Sequence, residues 1–222
     1  SINLALSKRG LTALKKVGVD AEVMKIAIPM YKRIMHDDKG NLTDQLYGND
    51  GQAIYSVSRA QLNVLMMRLA AKNGADLYFN EKCIEANLEQ ASVMFENTNT
   101  NQKQTVTSDL IIGADGAFSA VRKQMVEQYD HEFNYNKIEH DYKELHIPAG
   151  KNGTFLLDKN ALHIWPRGEF MLIALANLDG SFTCTLFAPK KGKKSFECLN
   201  SKKEVENYFS TIFPDFLDLV PD

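Results

Sequence analysis

Asp109-Leu110-Ile111-Ile112-Gly113-Ala114-Asp115-Gly116-Ala117-Phe118-Ser119-Ala120-Val121-Arg122 packs three structural signals into one short stretch. The apolar run bounded by glycine predicts a strand buried on both faces of a parallel sheet. Gly113 and Gly116 then allow a tight turn and a close backbone approach. A helix over 118–126 is expected to follow. This is how α/β folds present a polar ligand at the carboxyl end of a strand. In that arrangement Asp115 can accept hydrogen bonds from ribityl or ribose hydroxyls, and the helix N-terminus and Arg122 suit a phosphate or another anion. An Asp-Gly turn taken alone is more often an ordinary turn whose Asp caps the next helix.

Upstream of this stretch, the sequence predicts a short helix over 7–16, stopped by Gly18. Strands over 30–37 and 42–47 flank the turn residues Asp38-Lys39-Gly40-Asn41, and a further strand is expected over 53–57. Ser58 can cap a helix whose apolar positions Leu62, Leu65, Met66 and Leu69 follow helical spacing, with Gly74 at its end. Runs at 77–79, 82–88, 92–96 and 104–107 read as a β-meander. Downstream the pattern turns to β at 137–147, 154–157, 162–165, 169–174 and 181–187, before an amphipathic helix over 203–213 carrying Val205, Tyr208, Phe209 and Ile212. The expected class is α/β (α+β): a parallel segment joined to a separate, mainly antiparallel sheet.

The chain has 222 residues, 26 Lys+Arg against 28 Asp+Glu, and 44% hydrophobic residues, which excludes a disordered tail and allows one large domain or two. The basic runs, Lys190-Lys191 with Lys193-Lys194 and Lys202-Lys203, are short, so nucleic acid is not an expected partner. Cys83, Cys184 and Cys198 are odd in number and widely spaced, which argues against a disulfide framework and makes the cytoplasm the default location. No run approaches the ~18 apolar residues of a membrane span. No signal peptide is visible, and the absence of an initiator Met points to a fragment. His36, His131, His140, His146 and His163 are scattered and read as surface or packing residues, and Trp165 as core.

The Asp-Gly string resembles the fingerprint of the FAD-dependent aromatic hydroxylases within the flavoprotein monooxygenase superfamily. Ser1 to Gly10, Ile28 to Asp37, Gln45 to Gly48, Ser56-Val57-Ser58-Arg59 and His163-Ile164-Trp165-Pro166-Arg167 through Thr183 are similar to the kynurenine 3-monooxygenase family. The GxGxxG turn that opens such enzymes does not precede Ser1, and their later Gly-Asp motif is absent before Asp222. A central fragment is therefore expected, inactive alone and prone to associate.

The resemblance implies part of a Rossmann-like FAD-binding domain over 1–27 and 56–127, and a mainly antiparallel substrate domain over 28–55 and 128–222. It implies hydroxylation of L-kynurenine to 3-hydroxykynurenine with NADPH and O2 through a flavin C4a-hydroperoxide, and no catalytic side chain or metal of the protein's own. In the family an Arg and a Tyr bind the substrate carboxylate, and Arg33 and Tyr47 match them. Leu162, Met171, Ile173, Leu175 and Phe187 match pocket positions, and Arg59, Asp115, Gly116 and Arg122 match cofactor positions. Periodicity alone would fit a sheet core as well as a pocket wall, and Arg33 on a hairpin would otherwise be an ordinary surface residue. A related hydroxylase with another substrate, or a non-catalytic remnant of the fold, are the rival readings.

Overall fold

The computed structural model describes residues 2–49, 51–129 and 133–220, so Ser1, His131 and Asp222 lie outside the described residues. In chain order its elements are β1 (Asn3–Leu6), α1 (Lys8–Lys16), α2 (Asp20–Met24), β2 (Ala27–Met30), β3 (Lys32–His36), β4 (Leu42–Leu46), β5 (Ile54–Ser58), α3 (Arg59–Lys72) and β6 (Glu81–Asn87). They continue with β7 (Ser92–Asn97), β8 (Lys103–Thr107), α4 (Ala120–Tyr129), β9 (His140–Ile147), β10 (Ala161–Arg167), β11 (Phe170–Ala176), β12 (Phe182–Pro189), α5 (Lys202–Ile212) and α6 (Pro214–Leu217). The chain forms two compact units, 1–73 with 138–222, and 74–137.

The first unit holds a six-stranded sheet in the order β4-β3-β10-β11-β12-β9 and a three-stranded sheet in the order β1-β5-β2. All pairings in the larger sheet are antiparallel except β3 with β10, which run parallel with Arg33 beside Leu162 and Ile34 beside His163. Because side chains alternate across a strand, this register sorts them onto two faces. One face carries Trp165, Leu172, Ala174, Phe182, Cys184 and Leu186, all at or below 1% exposure. Helices α5 and α6 cover it with Tyr208, Phe209, Ile212, Phe213 and Phe216. Phe182 meets Phe155 and His163 edge-on, at 6.0 and 5.9 Å between ring centroids.

Local chemistry explains the connections. Asp37 closes the hairpin between β3 and β4 by accepting hydrogen bonds from the Lys39 and Asn41 backbone N–H groups at 2.8 and 2.7 Å, while Gly40 takes φ +81°. Ser58 caps α3 by accepting from Gln61 N at 3.4 Å. Ser201 caps α5 by accepting from Glu204 N at 3.3 Å, with Glu204 accepting in return from the Asn200 backbone.

Five expectations change. The run expected as one strand over 30–37 breaks at Tyr31, because β2 pairs in the small sheet and β3 in the large one. Residues 154–157 form no strand: Thr154 O accepts from Gly150 N at 2.8 Å in a local turn, while Phe155 packs on the core. Residues 77–79 also form none, with Tyr78 77% and Phe79 61% exposed. In the second unit, β6-β7-β8 forms the expected antiparallel meander, but Asp109–Gly113 is not a strand. A buried parallel strand needs neighbours on both edges and cover on both faces. Among the described residues none pairs with this run, and Leu110 and Ile112 are 74% and 80% exposed. Helix α4 correspondingly starts at Ala120 rather than 118.

Among the described residues no helix is long and apolar enough to cross a membrane. The core assignment makes a direct prediction: Phe182→Ala should lower the unfolding free energy by about 3–5 kcal/mol in a denaturant titration, because a large cavity opens between sheet and helices. A loss below about 1 kcal/mol would contradict this packing.

Candidate functional site

The second face of the large sheet is only partly covered, and register places the expected substrate residues on it. Arg33 of β3 lies beside Leu162 of β10, Ile164 opposite Ile173, and Met171 opposite Phe187. Met171 is 40% exposed and Leu175 is buried, while Leu162, Ile173 and Phe187 are half-buried. The structure therefore brings Arg33, Leu162, Met171, Ile173, Leu175 and Phe187 onto one surface. Tyr47, just past β4, is held by its backbone N–H donating to Tyr31 O at 3.0 Å. The guanidinium of Arg33 stacks over its ring, 5.0 Å from the centroid. Burial pushes the Tyr47 phenol above its ordinary value while the Arg33 charge pulls it back, so the phenol stays protonated at neutral pH and can donate.

Sequence reasoning passed over the polar members of this face. Thr183 and Thr185, at 8% and 5% exposure, pair with Leu175 and Ile173 and put hydroxyls among the apolar groups. Their signal was the alternation of Phe182-Thr183-Cys184-Thr185-Leu186, which assigns the threonines to the face opposite the core. Buried Cys184 is on the core side, where burial pushes its thiol up to about 12 and leaves it unreactive.

Arg59 stands at the N-terminus of α3 in the same unit. It is exposed and lines an open cavity of about 580 Å3 with Leu62, Asn63 and Met66.

In the second unit, Asp115 closes the turn onto α4. Its Oδ1 accepts from Ser119 Oγ at 2.5 Å, and its Oδ2 from Ala120 N and Val121 N at 2.7 and 3.2 Å. These bonds, Ser119 foremost, hold the carboxyl below the usual carboxylate range. Gly116 takes φ +78° with open space around it. Arg122 folds back on the turn: it donates to Gly116 O at 3.2 Å and to Ala117 O, and its guanidinium lies 4.7 Å from the Phe133 ring centroid. Asp115 thus serves as the helix cap, the plainer of its two expected roles, and Arg122 is engaged by the turn's own carbonyls.

A sequence model described as "FAD binding domain" matches residues 4–155, more than half of the chain. The chain belongs to this FAD binding domain family. Full-length similarity extends to the kynurenine 3-monooxygenases of Flavobacterium psychrophilum and Dictyostelium discoideum, at 47% and 45% identity over 100% of this chain. The chain spans about half the length of these relatives, 49% and 48% respectively. Among solved structures, Klebsiella pneumoniae HpxO complexed with FAD and uric acid superposes with a TM-score of 0.76 at 14% identity, covering 100% of this chain and 56% of that one. The tetrameric form of 2-methyl-3-hydroxypyridine-5-carboxylic acid oxygenase gives 0.69 at 16% identity, covering 99% and 56%. Both likenesses establish the fold alone, a mixed α/β architecture.

The cap makes a pH-dependent prediction. Because the folded Asp115 carboxyl sits below its unfolded value, its contribution is full above that unfolded value and is lost as pH falls through the folded one. Hydrogen exchange at Ala120 and Val121 should therefore lose protection on acidification, and Asp115→Ala should abolish the protection at neutral pH. Unchanged exchange in that variant would contradict the cap.

Proposed function

We propose that the whole protein is an FAD- and NADPH-dependent kynurenine 3-monooxygenase that hydroxylates L-kynurenine to 3-hydroxykynurenine with O2. One observation carries the reading: a single sheet face offers an arginine stacked on a tyrosine beside a run of apolar side chains. Kynurenine has the matching shape, an amino-acid carboxylate at one end and an aniline ring at the other. The printed names of the relatives support the same substrate.

In this reading Arg33 takes the carboxylate, because a planar guanidinium can hold it through two parallel hydrogen bonds. The Tyr47 phenol adds a neutral hydrogen bond, and its ring keeps the guanidinium in place. Leu162, Met171, Ile173, Leu175 and Phe187 form the apolar wall that seats the ring and excludes water. FAD, when bound, supplies the redox chemistry with NADPH and O2.

The turn in the second unit fits such a cofactor. A carboxylate has roughly four acceptor positions, and Asp115 uses three of them internally, leaving one on an exposed side chain for a ligand hydroxyl. Gly116 has no atom within 4 Å of where a Cβ would stand, so a ligand can approach the backbone closely. Arg59, Asp115, Gly116 and Arg122 are the proposed cofactor residues, with Arg122 positioning the turn. The proposed division assigns 1–27 and 56–127 to the cofactor domain, and 28–55 and 128–222 to the substrate domain. Three unpaired cysteines fit a cytoplasmic setting.

NADPH oxidation by the whole protein tests the reading, and kynurenine should stimulate it. Arg33→Met should raise the KM for kynurenine about 10- to 100-fold, the value of one charge-assisted hydrogen-bond pair. Tyr47→Phe should raise it less, with FAD retained in both. Stimulation by another aromatic acid but not by kynurenine would redirect the substrate assignment, and an unchanged KM in Arg33→Met would remove Arg33 from it.

A further inference from the structure

On the core face, directly beneath the strands that carry Arg33 and Leu162, ionisable side chains run in series from α6 across β3 to β10. His36 Nδ1 lies 3.2 Å from Asp215 Oδ2, His36 Nε2 lies 3.0 Å from His163 Nδ1, and His163 Nε2 lies 2.9 Å from the Asp158 carbonyl oxygen. Both ends of this chain are acceptors: a carboxylate and a backbone carbonyl. Three contacts need three protons, and two neutral imidazoles supply one each. The arithmetic is short by one proton whichever tautomers are chosen.

We propose that the chain holds that extra proton at neutral pH and that it resides on His36, making Asp215–His36 an internal ion pair with His163 a neutral Nε2–H link. Three features place the charge on His36. Asp215 is its direct neighbour, and Trp165 Nε1 donates to the same Oδ2 at 2.6 Å, fixing that oxygen beside the His36 ring. His36 stacks on the Trp165 indole with centroids 3.9 Å apart, a face that attracts a cation. His163 is the poorer host, because burial pushes it down to about 4.

Other charges also bear on the chain. Arg167, at the end of β10, donates to the carbonyls of His36 and Asp37 at 2.9 and 3.1 Å and opposes a charge on His36. Lys32 opposes it at the His163 end, where Lys32 pairs with Asp158 at 3.3 Å. The Asp37 carboxylate is engaged by Lys39 and Asn41. Burial works against the charge too and pushes His36 down on its own, with Asp215 pulling the other way. Against that stands the proton count: with both rings neutral and His36 donating from Nδ1 to Asp215, either two imidazole lone pairs face each other or one faces the Asp158 carbonyl oxygen. Asp215 Oδ2 faces both His36 and Trp165, while its Oδ1 is buried without a hydrogen-bond partner.

Selective 15N-histidine labelling of the whole protein tests this, with His36→Gln assigning the resonance. At pH 7 the His36 ring should show both nitrogens protonated, and His163 the neutral Nε2–H pattern. Asp215→Asn replaces the carboxylate facing Nδ1 with a neutral amide that can keep the Trp165 bond through its oxygen, so His36 should become neutral at pH 7 and titrate at least about one pH unit lower. If that variant does not fold, the unsubstituted protein still decides the matter. A neutral His36 ring at pH 7 overturns the proposal, as does an unchanged His36 titration in Asp215→Asn. Neither readout depends on flavin or kynurenine.

Discussion

The rest of the first unit depends on the register of one parallel strand pair. With Arg33 beside Leu162 and Ile34 beside His163, the two-residue period of the ladder commits every side chain of β3 and β10 to a face, and the antiparallel pairings carry that choice through β11, β12 and β9. A slip by one residue would send His163 and Trp165 to the second face and Leu162 and Ile164 into the core. Such a slip is opposed by full burial of Trp165, Leu172 and Phe182 beneath α5 and α6. The second face and the hydrophobic core are therefore two readings of one alignment.

The same alignment explains why polar groups lie in the core. The second face of the sheet is only partly covered, so the helices hold the sheet from the core side, and that anchor is partly polar. Arg167 donates to Ile212 O at 2.7 Å as well as to the His36 and Asp37 carbonyls, tying α5 to the end of β3. Asp215 ties α6 to Trp165 and His36. In a low-dielectric interior such bonds are strong when complete and costly when one member is lost, so they specify a single seating of the helices on the sheet.

Much of this was legible in the sequence. The β pattern in 169–174 and 181–187, the capping Ser58 and the Asp38–Asn41 turn each state a local preference that the fold keeps, because each is satisfied within a few residues. What failed were judgements that needed a partner. Leu110-Ile111-Ile112 has the composition of a buried parallel strand, but a strand forms only against neighbours, and none pairs with it among the described residues. The break at Tyr31 and the pairing of β3 with β10 are likewise long-range facts, joining positions well over a hundred residues apart. At the proposed site, the side chains on one face were readable from period two, whereas the stacking of Arg33 on Tyr47 and the buried His36–His163 contact depend on where the strands meet.

The two faces of β11 should respond differently to a buried charge. Ile173 sits on the second face between Ile164 and Thr185, and its neighbour Leu172 points into the core. In the whole protein loaded with FAD, kynurenine should be titrated while the flavin absorbance is followed, for Ile173→Asp and Leu172→Asp in parallel. Ile173→Asp should remain folded and flavin-bound but lose the spectral response to kynurenine, whereas Leu172→Asp should fail to fold. An Ile173→Asp protein that responds to kynurenine like the unsubstituted one would contradict the assignment of this face to the ligand.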